Sequence, residues 1–288
     1  MLELLLKMNP NNSLKITSVD LFKLNIPMKF PFKISLGTSY EANNVLVRIN
    51  TNKDIYGLGE ACSSLRITGD TQNTVYEAGI LIAKVIKGKD PFAIDTRMKE
   101  INQTIVKQTQ IKSAFNIALY DILGKATGVP LYVILGGEKR DIFTDYTIGI
   151  QENLETAINK VKNIIDMGFS AIKLKVGLNK RMDIELIKKI REEVSKDISI
   201  RIDTNQGWDL TTAIEVLKAM KPYNLEYAEQ PLAYWDYENM RRLREMEIAP
   251  ICADESVFDH HDAFKLASMG ACDYLNIKLG KSGGIHTA

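Results

Sequence analysis

Two different hydrophobic patterns divide the chain. From Leu14 to about Arg48, and again over residues 55–62, apolar and β-branched residues alternate with polar ones, which predicts a three-stranded meander. Residues 74–88 and 110–128 instead repeat apolar positions every three or four residues, which predicts two helices. Strands followed by helices predict an α+β domain, which we place at residues 14–140 after an N-terminal extension at residues 1–13.

From residue 141 to residue 288, short apolar segments alternate with amphipathic ones at an interval of about 25 residues. The apolar segments lack a polar face, so we expect parallel strands that are buried on both sides and each followed by a helix. Both an open doubly wound sheet and a (β/α)8 barrel fit this alternation. We place six strands, at residues 145–150, 171–176, 199–204, 225–230, 250–255 and 274–279.

The ends of these strands favour the barrel. Polar or ionisable residues close nearly every strand, and in a barrel all those ends meet at one mouth. No glycine-rich dinucleotide-binding motif follows any of the strands, as an open nucleotide-binding sheet would require. We therefore predict an α/β fold, a (β/α)8-type barrel preceded by an α+β capping domain. Two further units would complete eight strands, so we expect a barrel truncated after strand six, and an inactive fragment stays an alternative.

Composition and charge narrow the class of protein. The 288 residues are 45% hydrophobic and carry 37 basic and 36 acidic side chains, without a basic stripe, which argues against a nucleic-acid partner. No apolar run approaches the roughly 20 residues of a membrane span, and the first residues lack the pattern of a signal peptide. We expect a cytoplasmic enzyme with a small-molecule substrate and no membrane partner. A homo-oligomer is one option that the sequence leaves open.

Three acidic residues end three consecutive predicted strands: Asp203, Glu229 and Asp254. Each can point into the shared mouth of the barrel, although each can equally cap the helix that follows it. Three carboxylates without His or Cys suit a hard cation of octahedral geometry, so we predict a Mg²⁺ site rather than a Zn²⁺ site.

Three lysines complete the candidate site. Lys173 and Lys175 are two residues apart on one predicted strand and point the same way, which is costly for buried lysines unless they are paired or functional. One interpretation is that both lysines are structural ion-pair partners of the carboxylates. The other is that Lys175 is a base whose pKa is lowered towards about 7 to 8. Lys278, at the end of the sixth predicted strand, faces the second strand across an eight-stranded barrel. Two bases on opposite faces of one carbon can invert a stereocentre.

The ordered motifs resemble those of the enolase superfamily, muconate-lactonizing subgroup. The resemblance rests on KLK (173–175), DTNQ (203–206), EQP (229–231), ADES (253–256) and NIKLGKSGG (276–284). It implies that the three acids bind Mg²⁺, and that Lys175 and Lys278 are the two acid/base groups. It also implies that Lys173 and Thr147 contact the substrate, and that loops of the capping domain close over the barrel mouth.

Within that subgroup the chain looks most like the dipeptide epimerases, which interconvert L,L- and L,D-dipeptides through a metal-stabilised enolate. The resemblance rests here on ITGDT (67–71) and on the NIKL-x-KSGG pattern. Gly37 stands where relatives that prefer an acidic second residue have arginine, so we expect neutral or apolar dipeptides rather than Ala-Glu. Other fates of the enolate, as in o-succinylbenzoate synthase or muconate cycloisomerase, use the same lysines and stay alternatives.

Overall fold

A computed structural model describes residues 13–288 of the chain. The predicted N-terminal extension therefore lies almost entirely outside the described residues. The described residues form two compact units. The first unit contains residues 13–27, Glu41–Arg140 and Lys278–Ala288, and the second unit contains Met28–Tyr40 and Asp141–Ile277.

Residues 13–140 contain a three-stranded sheet and four α-helices. The strands lie in the order β1-β2-β3, with β2 and β3 antiparallel, and β1 and β2 extend into residues of the second unit. The predicted meander and both predicted helices are confirmed. The elements are β1 (Ile16–Ile34), β2 (Gly37–Thr51), β3 (Tyr56–Cys62), α1 (Gln72–Ile86), α2 (Ile94–Thr104), α3 (Thr109–Thr127) and α4 (Leu131–Ile134).

Helix α3 packs directly on strand β3. A Cβ atom at Gly57 would collide with the carbonyl oxygen of Ala118, and one at Gly59 would collide with that of Ala114. The fully buried ring of Phe115 lies on the same helix, in the core of the first unit. The two glycines of β3 thus allow backbone-to-backbone contact between a strand and a helix.

The second unit is a parallel sheet with helices between its strands. Its strands lie in the order β4-β5-β6-β7-β8-β9, so each strand pairs with the next one along the chain. A doubly wound sheet reverses its strand order partway, whereas this unbroken order is that of a (β/α)8-type barrel. The strands are β4 (Tyr146–Ile148), β5 (Ala171–Lys175), β6 (Ser199–Asp203), β7 (Leu225–Glu229), β8 (Ile251–Ala253) and β9 (Tyr274–Leu275).

Five α-helices separate these strands, and each begins where the sequence provides a capping side chain. Asn and Asp side chains accept a hydrogen bond from a backbone N–H of the first turn in every case, which satisfies one of the unpaired helix donors. The helices, with their capping residues, are α5 (Leu154–Asp166, Asn153), α6 (Lys180–Glu193, Asn179), α7 (Leu210–Met220, Asp209), α8 (Tyr237–Glu245, Asp236) and α9 (His260–Met269, Asp259).

The sixth strand is shorter than predicted. It ends at Leu275, whereas the sequence pattern predicts a strand to residue 279. The chain instead enters a short helix, α10 (Leu279–Ser282). The backbone carbonyl of Lys278 accepts hydrogen bonds from the N–H groups of Lys281 and Ser282 in this helix. Gly280, Gly283 and Gly284 follow closely, and glycine disfavours a continued strand. Among residues 13–288, no helix combines the length and the apolar character that a membrane crossing requires.

Candidate active site

Strand register brings three carboxylates together in the second unit. Asp203 lies opposite both Lys175 on β5 and Glu229 on β7, and Asp254 directly follows β8. A carboxylate oxygen from each of the three acids lies within 4.8 Å of the other two, and all three side chains are fully buried. Three acids from three neighbouring strands therefore form one compact cluster.

Burial and mutual repulsion disturb these carboxyl groups. Burial raises the pKa of Glu229 to about 7, and the charges of Asp203 and Asp254 act in the same direction. Asp203 is buried as well, but the neighbouring Lys175 and Lys173 outweigh burial and hold its pKa below the usual value. Such a cluster of like charges is costly without positive charge beside it.

Lys173 and Lys175 provide positive charge in the described structure. The Lys175 Nζ atom lies 2.5 Å from Asp203 Oδ2, and the Lys173 Nζ atom lies 2.8 Å from Glu229 Oε2 and 3.3 Å from Asp203 Oδ2. Burial acts to lower the pKa of Lys173, but the two carboxylates outweigh it and raise the pKa well above the usual value. The lysines thus form ion pairs with the acids, the arrangement that the structural alternative predicts, while their part in catalysis stays a prediction.

Three polar residues form hydrogen bonds with the residues of this cluster. Their spacing in the sequence did not identify them as site residues. Asn205 accepts a hydrogen bond from Lys175 Nζ at 2.7 Å and donates one to Glu255 Oε1 at 3.0 Å. Asn276 donates to Glu229 Oε1 at 2.8 Å, and Gln230 accepts from the backbone N–H of Asp254 at 2.9 Å. Asn205 and Asn276 lie one or two positions past a strand end, and this position is the signal that could have identified them.

The cluster fits a hard divalent cation. It offers oxygen donors from three separate strands, contains neither His nor Cys, and concentrates negative charge in a buried place. Mg²⁺ prefers carboxylate oxygens and keeps part of its coordination for water or substrate. Asp203, Glu229 and Asp254 are therefore the residues that could hold Mg²⁺.

The two remaining predicted site residues, Thr147 and Lys278, lie in different units of the structure. Thr147 lies on β4 opposite Lys173, so it belongs to the same sheet as the cluster. Lys278 directly precedes α10, and it belongs to the first unit, not to the second.

A cavity of about 190 Å³ lies beside Lys175. Its walls include apolar side chains of β4 and β5, Ile148 and Leu174, and the carboxyl group of Asp183 on α6. Asp183 Oδ2 accepts a hydrogen bond from the backbone N–H of Gly177 at 3.0 Å. Burial nevertheless raises the pKa of Asp183 to about 6.

Comparison with known protein families agrees with this geometry. Residues 16–136 match the family described as "Mandelate racemase / muconate lactonizing enzyme, N-terminal domain", and residues 156–288 match "Enolase C-terminal domain-like". The chain belongs to the enolase superfamily, in its mandelate racemase and muconate-lactonizing branch. The resemblance inferred from the motifs is confirmed.

The similar proteins include dipeptide epimerases. The D-Ala-D/L-Ala epimerase of Cytophaga hutchinsonii is 42% identical over 274 residues, which are 95% of this chain and 74% of the relative. The L-Ala-D/L-Glu epimerase of Clostridium acetobutylicum is 36% identical over 95% of this chain and 77% of the relative. A crystal structure of the Enterococcus faecalis dipeptide epimerase, complexed with Mg and L-Leu-L-Tyr, superposes with a TM-score of 0.92 at 36% identity, covering 95% of this chain and 77% of that one.

Proposed function

We propose that this protein is a Mg²⁺-dependent dipeptide epimerase, an isomerase that inverts a carbon next to a carbonyl group by removing and returning its proton. The observation that carries the proposal is the buried cluster of three carboxylates with Lys175 at 2.5 Å from Asp203. Membership of the enolase superfamily and similarity to named dipeptide epimerases support the same reaction.

Asp203, Glu229 and Asp254 are the proposed metal ligands. Mg²⁺, when bound, supplies positive charge that stabilises negative charge developing on a substrate oxygen as the α-proton leaves. Asp203 and Glu229 lie opposite each other on paired strands, so strand register fixes their positions, whereas Asp254 lies in the turn that directly follows β8.

Lys175 is the proposed acid/base group of the second unit. Its Nζ atom donates hydrogen bonds to Asp203 and Asn205, and its side chain is only 9% exposed. Lys278 is the proposed second acid/base group, a role that rests on the sequence motif. Lys173, paired with Glu229, and Thr147, opposite Lys173 in register, are proposed to contact the substrate.

The substrate is proposed to be a dipeptide with a neutral or apolar second residue. Gly37, the first residue of β2, stands where acidic-dipeptide epimerases are expected to carry arginine, and this supports the preference. The relatives named above are a D-Ala-D/L-Ala epimerase, an L-Ala-D/L-Glu epimerase and a dipeptide epimerase complexed with L-Leu-L-Tyr, so acidic dipeptides belong in any test.

Two further predictions accompany the function. We keep residues 14–140 and 141–288 as the capping and barrel domains, which the two family matches at residues 16–136 and 156–288 support. A cytoplasmic location stays a prediction, and the free thiols of Cys62, Cys252 and Cys272 agree with a reducing compartment.

Proton exchange in D₂O tests the proposed reaction. The chain is incubated with Mg²⁺ and a panel of L,L-dipeptides, including L-Ala-L-Ala, L-Ala-L-Glu and L-Leu-L-Tyr, and α-deuterium is followed by NMR and mass spectrometry. We expect deuterium at one α-carbon together with the epimeric product. A panel with no α-exchange would sink the epimerase proposal, and turnover of N-succinyl-arginine or muconate alone would point to another member of the superfamily.

A pair of lysine variants separates catalysis from charge loss. Lys175→Ala is expected to lower the exchange rate by about 100-fold or more, since a positioned acid/base group contributes that much. Lys162→Ala, which removes an exposed lysine paired with Glu193 on the surface, is the matched control and is expected to keep full activity. Equal activity in the two variants would remove Lys175 from the mechanism.

A further inference from the structure

Gln230 occupies an unusual place directly after Glu229. Its side chain is fully buried, and its backbone φ is +38°, in the left-handed region that non-glycine residues rarely adopt. Such a conformation persists only where surrounding contacts hold it, and it often marks a functional constraint.

The carboxamide of Gln230 holds the turn that carries Asp254. Its Oε1 atom accepts hydrogen bonds from the backbone N–H groups of Asp254 at 2.9 Å and Ser256 at 3.0 Å. Its Nε2 atom donates to the carbonyl of Leu232 at 3.0 Å and to Ser256 Oγ at 2.8 Å. Both donors and both acceptor sites of the amide are thereby used, and a carboxylate at this position could not make the two donations.

The backbone of Gln230 also holds the turn that follows Asp203. Its carbonyl oxygen accepts from Thr204 Oγ1 at 2.6 Å and from the backbone N–H of Gln206 at 2.8 Å. Gln230 is itself the neighbour of Glu229 in the chain. One residue therefore connects the three segments that carry Asp203, Glu229 and Asp254.

We propose that Gln230 is a positioning residue that fixes the spacing of the three carboxylates and thereby sets the affinity for Mg²⁺. The inference rests on the metal site of the proposed function. Three like charges within 4.8 Å repel one another before a cation binds, so the Asp254 turn must be held against that repulsion. Fixed ligands lose little freedom on binding, and Gln230 supplies the fixing contacts without adding a charge.

Mg²⁺ titration of the full chain tests this role directly. Gln230→Met keeps the length of the side chain and removes its hydrogen bonds. By calorimetry on metal-stripped protein we expect its Mg²⁺ dissociation constant to rise by about 10- to 100-fold. We also expect α-proton exchange to recover at high Mg²⁺, with kcat restored and only the Mg²⁺ concentration for half activity increased. An unchanged dissociation constant would overturn the proposal.

Asn50→Leu is the matched control for general loss of polar contacts. Asn50 donates to Ser18 Oγ at 3.0 Å and to Asp20 Oδ2 at 2.7 Å in the first unit, so its loss weakens the fold without touching the carboxylates. It is expected to bind Mg²⁺ like the unmodified chain, and an equal weakening in both variants would reduce Gln230 to a general structural role and overturn the proposal.

Ser256→Ala carries the test if Gln230→Met does not fold. This variant removes one of the four contacts of the carboxamide, so a several-fold rise in the dissociation constant supports the proposal and no change overturns it. If the unmodified chain binds Mg²⁺ but exchanges no α-proton of a dipeptide, the proposed reaction is contradicted and the positioning role is not. If the Gln230 variant binds Mg²⁺ with the affinity of the unmodified chain, the positioning role is contradicted and the reaction is not.

Discussion

Asp183 is a residue outside the carboxylate cluster whose charge state is expected to shape stability between about pH 4 and pH 6. Burial raises its pKa from 3.8 to about 6, so between those values the folded chain binds more protons than the unfolded chain. The contribution of Asp183 to stability therefore falls as pH rises from about 4 to about 6 and stays at the lower level above it. The difference corresponds to at most about 3 kcal/mol at pH 7.

Asp183→Asn is expected to remove this pH dependence. The amide oxygen can still accept from Gly177, so the variant should equal or exceed the unmodified chain in free energy of unfolding at pH 7. Urea unfolding between pH 4 and pH 8 measures both proteins. If the free energy of unfolding of the variant changes with pH between pH 4 and pH 6 as steeply as that of the unmodified chain, another group causes the dependence.

Asp203→Asn tests a single metal ligand. Loss of one charged ligand should weaken Mg²⁺ binding at least tenfold, which lowers the Mg²⁺-induced gain in unfolding free energy by about 1.4 kcal/mol or more. Urea unfolding with and without Mg²⁺ gives this gain. Asp197→Asn, an exposed acid just before the same strand, is the control and should keep the full gain, and equal gains in both variants would exclude Asp203 as a ligand.

The site residues were predictable to different degrees for a physical reason. Asp203, Glu229 and Lys175 lie on strands, where side chains alternate with a fixed period, so their sequence positions tell which way they point. Asn205 and Gln230 lie just past strand ends with φ angles of +44° and +38°. Asparagine adopts the left-handed region more readily than most residues, but propensity does not tell at which asparagine or glutamine this happens, so the directions of these two side chains follow only from the three-dimensional structure.

At the level of secondary structure, the contact between β3 and α3 predicts a strong response to small substitutions. Gly57→Ala and Gly59→Ala would each place a Cβ atom against a helix carbonyl oxygen, on backbone that cannot move aside cheaply. We expect each to lower the free energy of unfolding by about 2 kcal/mol or more. Leu58→Ala, at a 37% exposed position between them, should cost clearly less in the same urea experiment, and a larger loss there would contradict this account of the packing.

Elements with a clear period were predicted well, and those without one were not. Helix α3 repeats its apolar residues at helical spacing, and its prediction is confirmed over Thr109–Thr127. Helix α2 buries only four residues of eleven, Ile94, Arg97, Met98 and Ile101, so its apolar stripe is short and includes one charged residue. The strand predicted to residue 279 is wrong beyond Leu275, where the chain leads into the short helix α10 instead.

For the whole molecule, the location of the carboxylates predicts where Mg²⁺ acts. All three acids belong to the second unit, so bound Mg²⁺ should slow amide hydrogen exchange around residues 203–206, 229–230 and 254–256 by tenfold or more. Residues 45–49 and 111–122 of the first unit should exchange at unchanged rates. Mass spectrometry of exchange with and without Mg²⁺ measures this, and equal slowing in both units would contradict the prediction.

The division into units could be anticipated only in part. The change of hydrophobic pattern near residue 141 coincides with the start of the longer segment of the second unit, Asp141–Ile277. The assignment of Met28–Tyr40 to that unit depends on contacts far apart in sequence, such as Ser35 Oγ donating to the carbonyl of Asn205 at 2.9 Å. A local pattern contains no information about such distant partners.

The unbroken strand order β4 to β9 has a consequence for how the chain folds. Each strand after β4 pairs with the strand synthesised about 25 residues before it, so each step of assembly closes a loop of similar, modest length. The sheet can therefore grow one strand at a time as the chain leaves the ribosome, without waiting for a distant partner. Asp203, Glu229 and Asp254 would then meet in that order, and the carboxylates would be complete only once β8 has joined the sheet.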